Sequence, residues 1–479
     1  MNRRKFIQNT GLLAGSTLMF NNKILGSVFK PAGDFISQRL SPELRRFVSQ
    51  SVENKIKEVT AVMADKELAW MFQNCFPNTL DTTIYLGELH GKPDTFVITG
   101  DIHAMWLRDS TAQVWPYMPF LKADEPLKKL VKGLVNRQAA CILLDPYANA
   151  FNRDETAVSD WSSDKPTMKP GLHERKYELD SLCYVIRLAY RYWKETGDIS
   201  IFDTEWDSAM RMIVETMRVE QRKNGMSPYR FIRSTSAMED APVHEGTGRP
   251  AKPVGLICSM FRPSDDASNL PYLIPSNLFA VQGLRQLSEI FSTVLNDSGF
   301  ASGCNDFADE VESAVQKYAI ADHLDFGRIY AYETDGYGNR LFMDDANVPS
   351  LMSLAYLGVV KPDDGIYMNT RRFLLSDSNP WFLRGKAAEG QGSPHTGKNN
   401  IWPMGIILRA LTSIDDKEIL QCLKMLKSTH AGTGFMHESF HKDDAANFSR
   451  KWFAWANTLF GELILKVYDG HRDMLKREI

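Results

Sequence analysis

Apolar residues recur every three to four positions through most of this chain, the period of an amphipathic helix. Ser41-Pro42-Glu43-Leu44 marks a helix start, serine as cap and proline in the first turn. Val48, Val52, Ile56, Val59, Val62 and Met63 then keep the helical period, which continues through Leu68, Trp70, Met71 and Phe72 towards Pro77. One long first helix is therefore predicted. Two β-rich runs follow at 82–86 and 95–99, with His90-Gly91-Lys92-Pro93-Asp94 between them as the turn of a small hairpin. Further helices are predicted at 109–121, 125–144, 178–196, 204–223, 276–296, 302–320, 346–358, 366–375, 400–412, 415–429 and 448–468.

Helix, short turn, helix and long decorated loop recur without a literal sequence repeat. Gly, Pro, Trp, Asp and Arg gather in the long stretches 145–177, 225–275, 321–345, 376–399 and 430–447. Loops beyond about 15 residues inside a compact domain are usually functional. About six helical hairpins with long loops at one end predict an all-α fold, an (α/α)6 barrel. A helical solenoid would show a fixed period and shorter loops.

Composition narrows the picture. The chain has 479 residues, 43% of them hydrophobic, enough for a large core, and a net charge of −3 that offers no basic field for nucleic acid or an anionic membrane. Asn2-Arg3-Arg4-Lys5 precedes a short apolar run from Thr10 to Phe20, too short to span a bilayer. This reads as a twin-arginine export signal over residues 1–30, ahead of a single catalytic domain at 31–479. An exported, periplasmic protein without a membrane span is expected, with no obligate protein partner implied. Cys75, Cys141, Cys183, Cys258, Cys304 and Cys422 form no C-x-x-C pair and have no metal-ligand spacing with histidine, so they are expected to be buried small hydrophobes.

Several loop motifs carry groups suited to chemistry. In Trp106-Leu107-Arg108-Asp109-Ser110, Arg108 and Asp109 could clamp vicinal hydroxyls beside an indole wall, or simply cap a helix. In Phe261-Arg262-Pro263-Ser264-Asp265-Asp266, two adjacent carboxylates lie beside Arg262, where like charges disfavour ionising both; a protonated acid there would suit general-acid work, and a turn or cap would also explain it. Met343-Asp344-Asp345-Ala346-Asn347 reads as an acidic helix start whose spacing is not that of a calcium loop. The Gly-rich run Gly390-Gln391-Gly392-Ser393-Pro394-His395 lacks the G-K-[ST] ending of a phosphate loop and leads to Trp402. Glu438 sits on a turn punctuated by Gly432 and Gly434, with Phe435, Phe440, Trp452 and Trp455 around it. A carboxylate beside aromatic faces suits a sugar ring, and two carboxyls across a cavity is the arrangement of glycoside hydrolysis. There is no G-x-S-x-G elbow and no H-E-x-x-H.

Taken in order, Gly100-Asp101-Ile102-His103-Ala104-Met105-Trp106-Leu107-Arg108-Asp109-Ser110, Phe261 to Asp266, Gly392 to Thr396, His437-Glu438-Ser439-Phe440 and Trp452 to Asn457 resemble glycoside hydrolase family 125. The resemblance runs from about Pro42 to the end. It implies an (α/α)6 barrel that removes terminal α-1,6-linked mannose from α-mannoside oligosaccharides with inversion, without metal or other cofactor. It implies a general acid at Asp265 or Asp266 and a general base at Glu438. Trp106, Arg108, Asp109, Arg262, Asn347, His395 and Trp402 are the candidate substrate contacts. A phosphorylase, a catalytically silent glycan-binding protein and a glucoamylase-like specificity are the rival readings.

Overall fold

The computed structural model describes residues 35–479, so the proposed export segment lies outside the described residues. Six segments line the centre: helices Leu107–Val114, Leu179–Thr196 and Ile274–Thr293, the 3-10 turn Met352–Leu354, and helices Pro403–Leu411 and Ala454–Gly470. Each packs on the next, and the last packs on the first, so the ring closes. Helices Glu125–Leu144, Thr204–Glu220, Ser298–Tyr318, Gly365–Leu374, Asp416–Thr429 and Lys66–Cys75 pack around it as an outer layer. This is an (α/α)6 barrel.

Hydrophobic pattern separates the two layers. Helix Pro403–Leu411 buries Met404, Gly405, Ile406, Ile407, Leu408 and Ala410, so it is apolar on every side and belongs inside. Helix Ser298–Tyr318 buries Ala301, Cys304, Phe307, Ala308, Val311, Ala314 and Val315, a single stripe that suits an outer position. All six cysteines are buried and free.

Short strands of two to five residues knit the loops that enter the inner helices. Met105–Trp106 pairs with Ala150–Phe151, which pairs with Leu172–Glu174. Asn400–Ile401 pairs with Phe440–His441, which pairs with Asp444–Phe448. The long loops therefore gather at the N-terminal end of the inner ring. Where the chain turns most sharply there, glycine is needed. Gly100 has φ +122°, and a Cβ on it would lie 2.9 Å from the Trp452 ring. Gly434 has φ +73°, and a Cβ on it would lie 2.7 Å from the Trp70 ring.

Three expectations are corrected. The long first helix is broken into Gln50–Thr60 and Lys66–Cys75, because Asp65 caps the second piece through Leu68 N and Ala64 N donates to Leu475 O instead of continuing the helix. The helix at 346–358 is only the 3-10 turn Met352–Leu354. Ser350 and Ser353 bond each other's backbone N–H at 3.2 and 2.8 Å, and Asp344 takes the N–H groups of Leu351 and Met352, so the local donors are already spent. The helix at 448–468 begins at Ala454, since Asp444–Phe448 is a strand. The hairpin is present as Ile84–Leu89 against Lys92–Val97.

Candidate active site

The first inner helix places Arg108 and Asp109 in its opening turn, and the second places Asp180 in its own, two residues after Glu178 at its N-cap. Arg108 ties these starts together. Its Nη1 donates to Glu178 Oε2 and lies 3.4 Å from Asp180 Oδ2, its Nη2 donates to Asp265 Oδ1 at 3.3 Å, and its Nε lies 3.6 Å from Asp109. Four carboxyl groups thus surround one guanidinium in a largely buried wall. Burial pushes Asp109 and Asp180 up to about 6, and Arg108 pulls both back. Burial alone would lower the Arg108 pKa, but Glu178, Asp109, Asp265 and Asp180 more than reverse it, so the guanidinium stays charged. Taking such charges out of water costs several kcal/mol per ion, so this cluster is a poor device for stability and a good one for holding groups in place.

Asp265 and Asp266 leave a tight turn in opposite directions. Asp265 N donates to Arg262 O, and Arg262 N donates to Asp266 O. Asp265 has φ +64°, a left-handed conformation uncommon for a residue with a Cβ and concentrated at functional sites. Its side chain keeps 16% exposure and meets Arg108 and Asn149 Nδ2 at 3.3 Å each, while Lys176 Nζ donates to its backbone carbonyl at 2.8 Å. Asp266 is 1% exposed, against His395 Nδ1 at 3.0 Å and Ser264 Oγ at 3.2 Å. One loop, leading into the third inner helix, thus touches the walls of the first, second and fifth.

Glu438 stands on the loop that leads into the sixth inner helix, which lies opposite the third in the ring. Ser449 Oγ donates to Glu438 Oε2 at 2.9 Å and Arg450 Nη1 to Oε1 at 3.3 Å. Arg450 also pairs with Asp101, on the loop entering the first inner helix. His437 stacks on Phe448 with ring centroids 3.9 Å apart, and Phe453 N donates to Met436 O, so the turn carrying Glu438 is braced on both sides. The Glu438 side chain keeps 14% exposure.

The other candidates fall into two groups. Trp106 packs edge-on to His173, Trp402 packs edge-on to His395 and donates to Thr396 Oγ1 at 2.8 Å, and His395 keeps 16% side-chain exposure beside Asp266. Arg262 and Asn347 sit behind them. Arg262 is 2% exposed with Nε on Glu333 at 2.6 Å, and Asn347 donates twice to Asp345 Oδ1. Both brace the carboxylate loops from below. Sequence reasoning missed Glu178, Asp180, Asn149, Lys176, Ser449 and Arg450. The signal for the first two was present as acids at the N-cap and in the first turn of a helix whose first half is largely apolar.

Asp344, behind this layer, receives Leu351 N at 2.8 Å and Met352 N at 2.9 Å, yet burial raises its pKa to about 7. A carboxyl with a higher pKa folded than unfolded adds stability that is complete below about pH 4 and is lost as pH rises through about 7. Asp344→Asn removes that dependence and adds a pH-independent offset for the one backbone donor it leaves unmet. Its melting temperature relative to wild type is expected to rise between about pH 5 and about pH 8; a flat difference would show that this carboxyl ionises freely in the fold.

A barrel whose decorated end gathers carboxylates beside aromatic rings suits a carbohydrate-active enzyme. The sequence matches the family described as Metal-independent alpha-mannosidase (GH125) over residues 65–465. The chain belongs to this family of α-mannosidases. It is 43% identical over 462 residues to the Meiotically up-regulated gene 157 protein of Schizosaccharomyces pombe, covering 92% of this chain and 90% of that protein. Its structure is similar to that of a Streptococcus pneumoniae metal-independent alpha mannosidase solved as a non-productive complex with alpha-1,6-mannobiose, at TM-score 0.85 and 43% identity, covering 89% of this chain and 100% of the other. A solved glycosidase at 12% identity and TM-score 0.50, covering 88% of this chain, shares the fold alone.

Proposed function

We propose that this α-mannosidase removes mannose from the non-reducing end of α-1,6-linked mannosides by a single inverting displacement. The observation that carries the mechanism is the placement of Asp265 and Glu438 on loops from opposite sides of the ring, each partly open to the mouth. The α-1,6 linkage rests on the similarity to the pneumococcal enzyme complexed with that disaccharide.

In this reading Asp265 gives its proton to the glycosidic oxygen as the C1–O bond breaks. Glu438 takes a proton from a water that attacks C1 on the opposite face. Inversion needs room for that water, with the two carboxyls about 6.5–9.5 Å apart. Asp109 accepts from the sugar hydroxyls, Arg108 holds Asp265, and Trp106 and Trp402 flank the ring. Asp266 is the supporting acid, since His395 and Ser264 occupy its oxygens.

Proton NMR of α-1,6-mannobiose turnover in phosphate-free buffer tests this. The first product signal is expected to be β-mannose, which then mutarotates. Release of α-mannose first would establish retention and overturn the mechanism, and turnover only on adding phosphate would make the enzyme a phosphorylase.

A further inference from the structure

The proposed acid does not stand alone in its wall. Asn149 Nδ2 lies 3.2 Å from Glu178 Oε1 and 3.3 Å from Asp265 Oδ1, and Arg108 reaches Glu178 with one terminal nitrogen and Asp265 with the other. The two carboxyl groups thus converge on one amide and one guanidinium, where like charges disfavour ionising both. Resting on the reading of Asp265 as the acid, we infer that Glu178 and Asp265 hold one proton in common. Glu178 is the positioning residue that keeps Asp265 in its acid form.

The two carboxyls differ in their donors and in their access to solvent. Glu178 receives Arg108 Nη1, Ser181 Oγ at 2.8 Å and Asn149, and its side chain has no exposure. Asp265 meets Arg108 and Asn149 at 3.3 Å each and keeps 16% side-chain exposure. Donors favour the ionised form and burial opposes it, so one proton serves both carboxyls, and Asp265 is the partner exposed enough to give it up. Burial pushes the Glu178 carboxyl well above the usual carboxylate range; Arg108 pulls it back, and Asp265 and Asp180 push it up again. The pair therefore titrates as one unit.

Every other charged group facing the pair fits this state. Asp109 and Asp180 add negative charge from the two inner helix starts. Lys176 offsets it at the Asp265 carbonyl and is itself held by Asp240 and Glu174. His173 stands towards Asp265 with its pKa lowered by burial, and His395 faces Asp266 on the far side of the turn. When Asp265 protonates the leaving oxygen, the bonding pair stays on that oxygen and the water proton passes to Glu438. Two ionised carboxylates are left against Arg108. Their repulsion favours prompt return of a proton from solvent to Asp265, while Glu438 releases its own.

The test compares Glu178→Gln, Asp265→Asn and wild type in pH profiles of kcat/KM, on α-1,6-mannobiose and on 2,4-dinitrophenyl α-mannoside, whose leaving group needs little protonation. Removing the neighbouring charge lowers the Asp265 pKa. The alkaline limb of Glu178→Gln on mannobiose is therefore expected to move down by about one pH unit or more, with at least about a tenfold loss above the limb and a smaller one on the aryl mannoside. A limb that stays in place while Asp265→Asn is inactive on mannobiose overturns the role of Glu178 and leaves the acid assignment intact. Asp265→Asn active on both substrates overturns the acid assignment itself. If Glu178→Gln does not fold, carboxyl-¹³C NMR of wild type labelled at Asp and Glu carries the test. Two resonances sharing both titration steps support the common proton, and Asp265 titrating alone overturns it.

Discussion

Glu438→Gln is expected to lower kcat on α-1,6-mannobiose by about 10³- to 10⁴-fold, near the upper range for removal of a general base. The amide keeps the shape of the acid and cannot take a proton from water. Folding should hardly change. The amide keeps one oxygen for Ser449 or Arg450, and the lost charge-assisted bond is worth about 1.5–3 kcal/mol at most, less at a partly exposed site. In a chain of 479 residues that shifts the melting temperature by only a few degrees. Azide gives a second readout, since an anionic nucleophile needs no base and should restore turnover with formation of β-mannosyl azide. A variant with wild-type turnover would remove Glu438 from the reaction.

The second large effect separates the adjacent aspartates. Asp265→Asn is expected to cost about 10²- to 10⁴-fold on mannobiose, because the leaving sugar alkoxide goes unprotonated, and about tenfold or less on an activated aryl mannoside. Asp266→Asn should reduce activity on the two substrates by a similar factor, because it loosens His395 and the turn without removing the proton donor. It should also lower the melting temperature more than Asp265→Asn does, since a buried partner is left unmet. If Asp266→Asn instead shows the leaving-group dependence, the roles are exchanged. Steady-state kinetics on the two substrates, with melts of each variant, decide it.

The helical part of this fold was legible because its pattern is local. Segment 125–144 was predicted with the bounds that Glu125–Leu144 has, and the outer helices with one stripe of apolar residues were placed to within a few residues. The paired strands around the mouth were not legible. Most are two or three residues long, and alternation over so short a run carries no period. The turn at 346–358 misled for a related reason: its apolar residues fit a helix, but Asp344 and two serines take the backbone donors that a helix would use.

By itself the sequence determined most of the helices, a count of about six hairpins and the residue types that suit a sugar, because periodicity and side-chain chemistry are properties of neighbours in the chain. Only the tertiary structure decided which aspartate faces the mouth. Asp265 and Asp266 are adjacent and chemically alike, and they differ through a left-handed backbone angle and through partners 116 to 157 positions away. The same holds for Glu178, which reads as an ordinary helix start until ring closure brings it against Arg108 and Asp265. Burial and charge proximity arise from contacts between distant segments, so no local pattern can carry them.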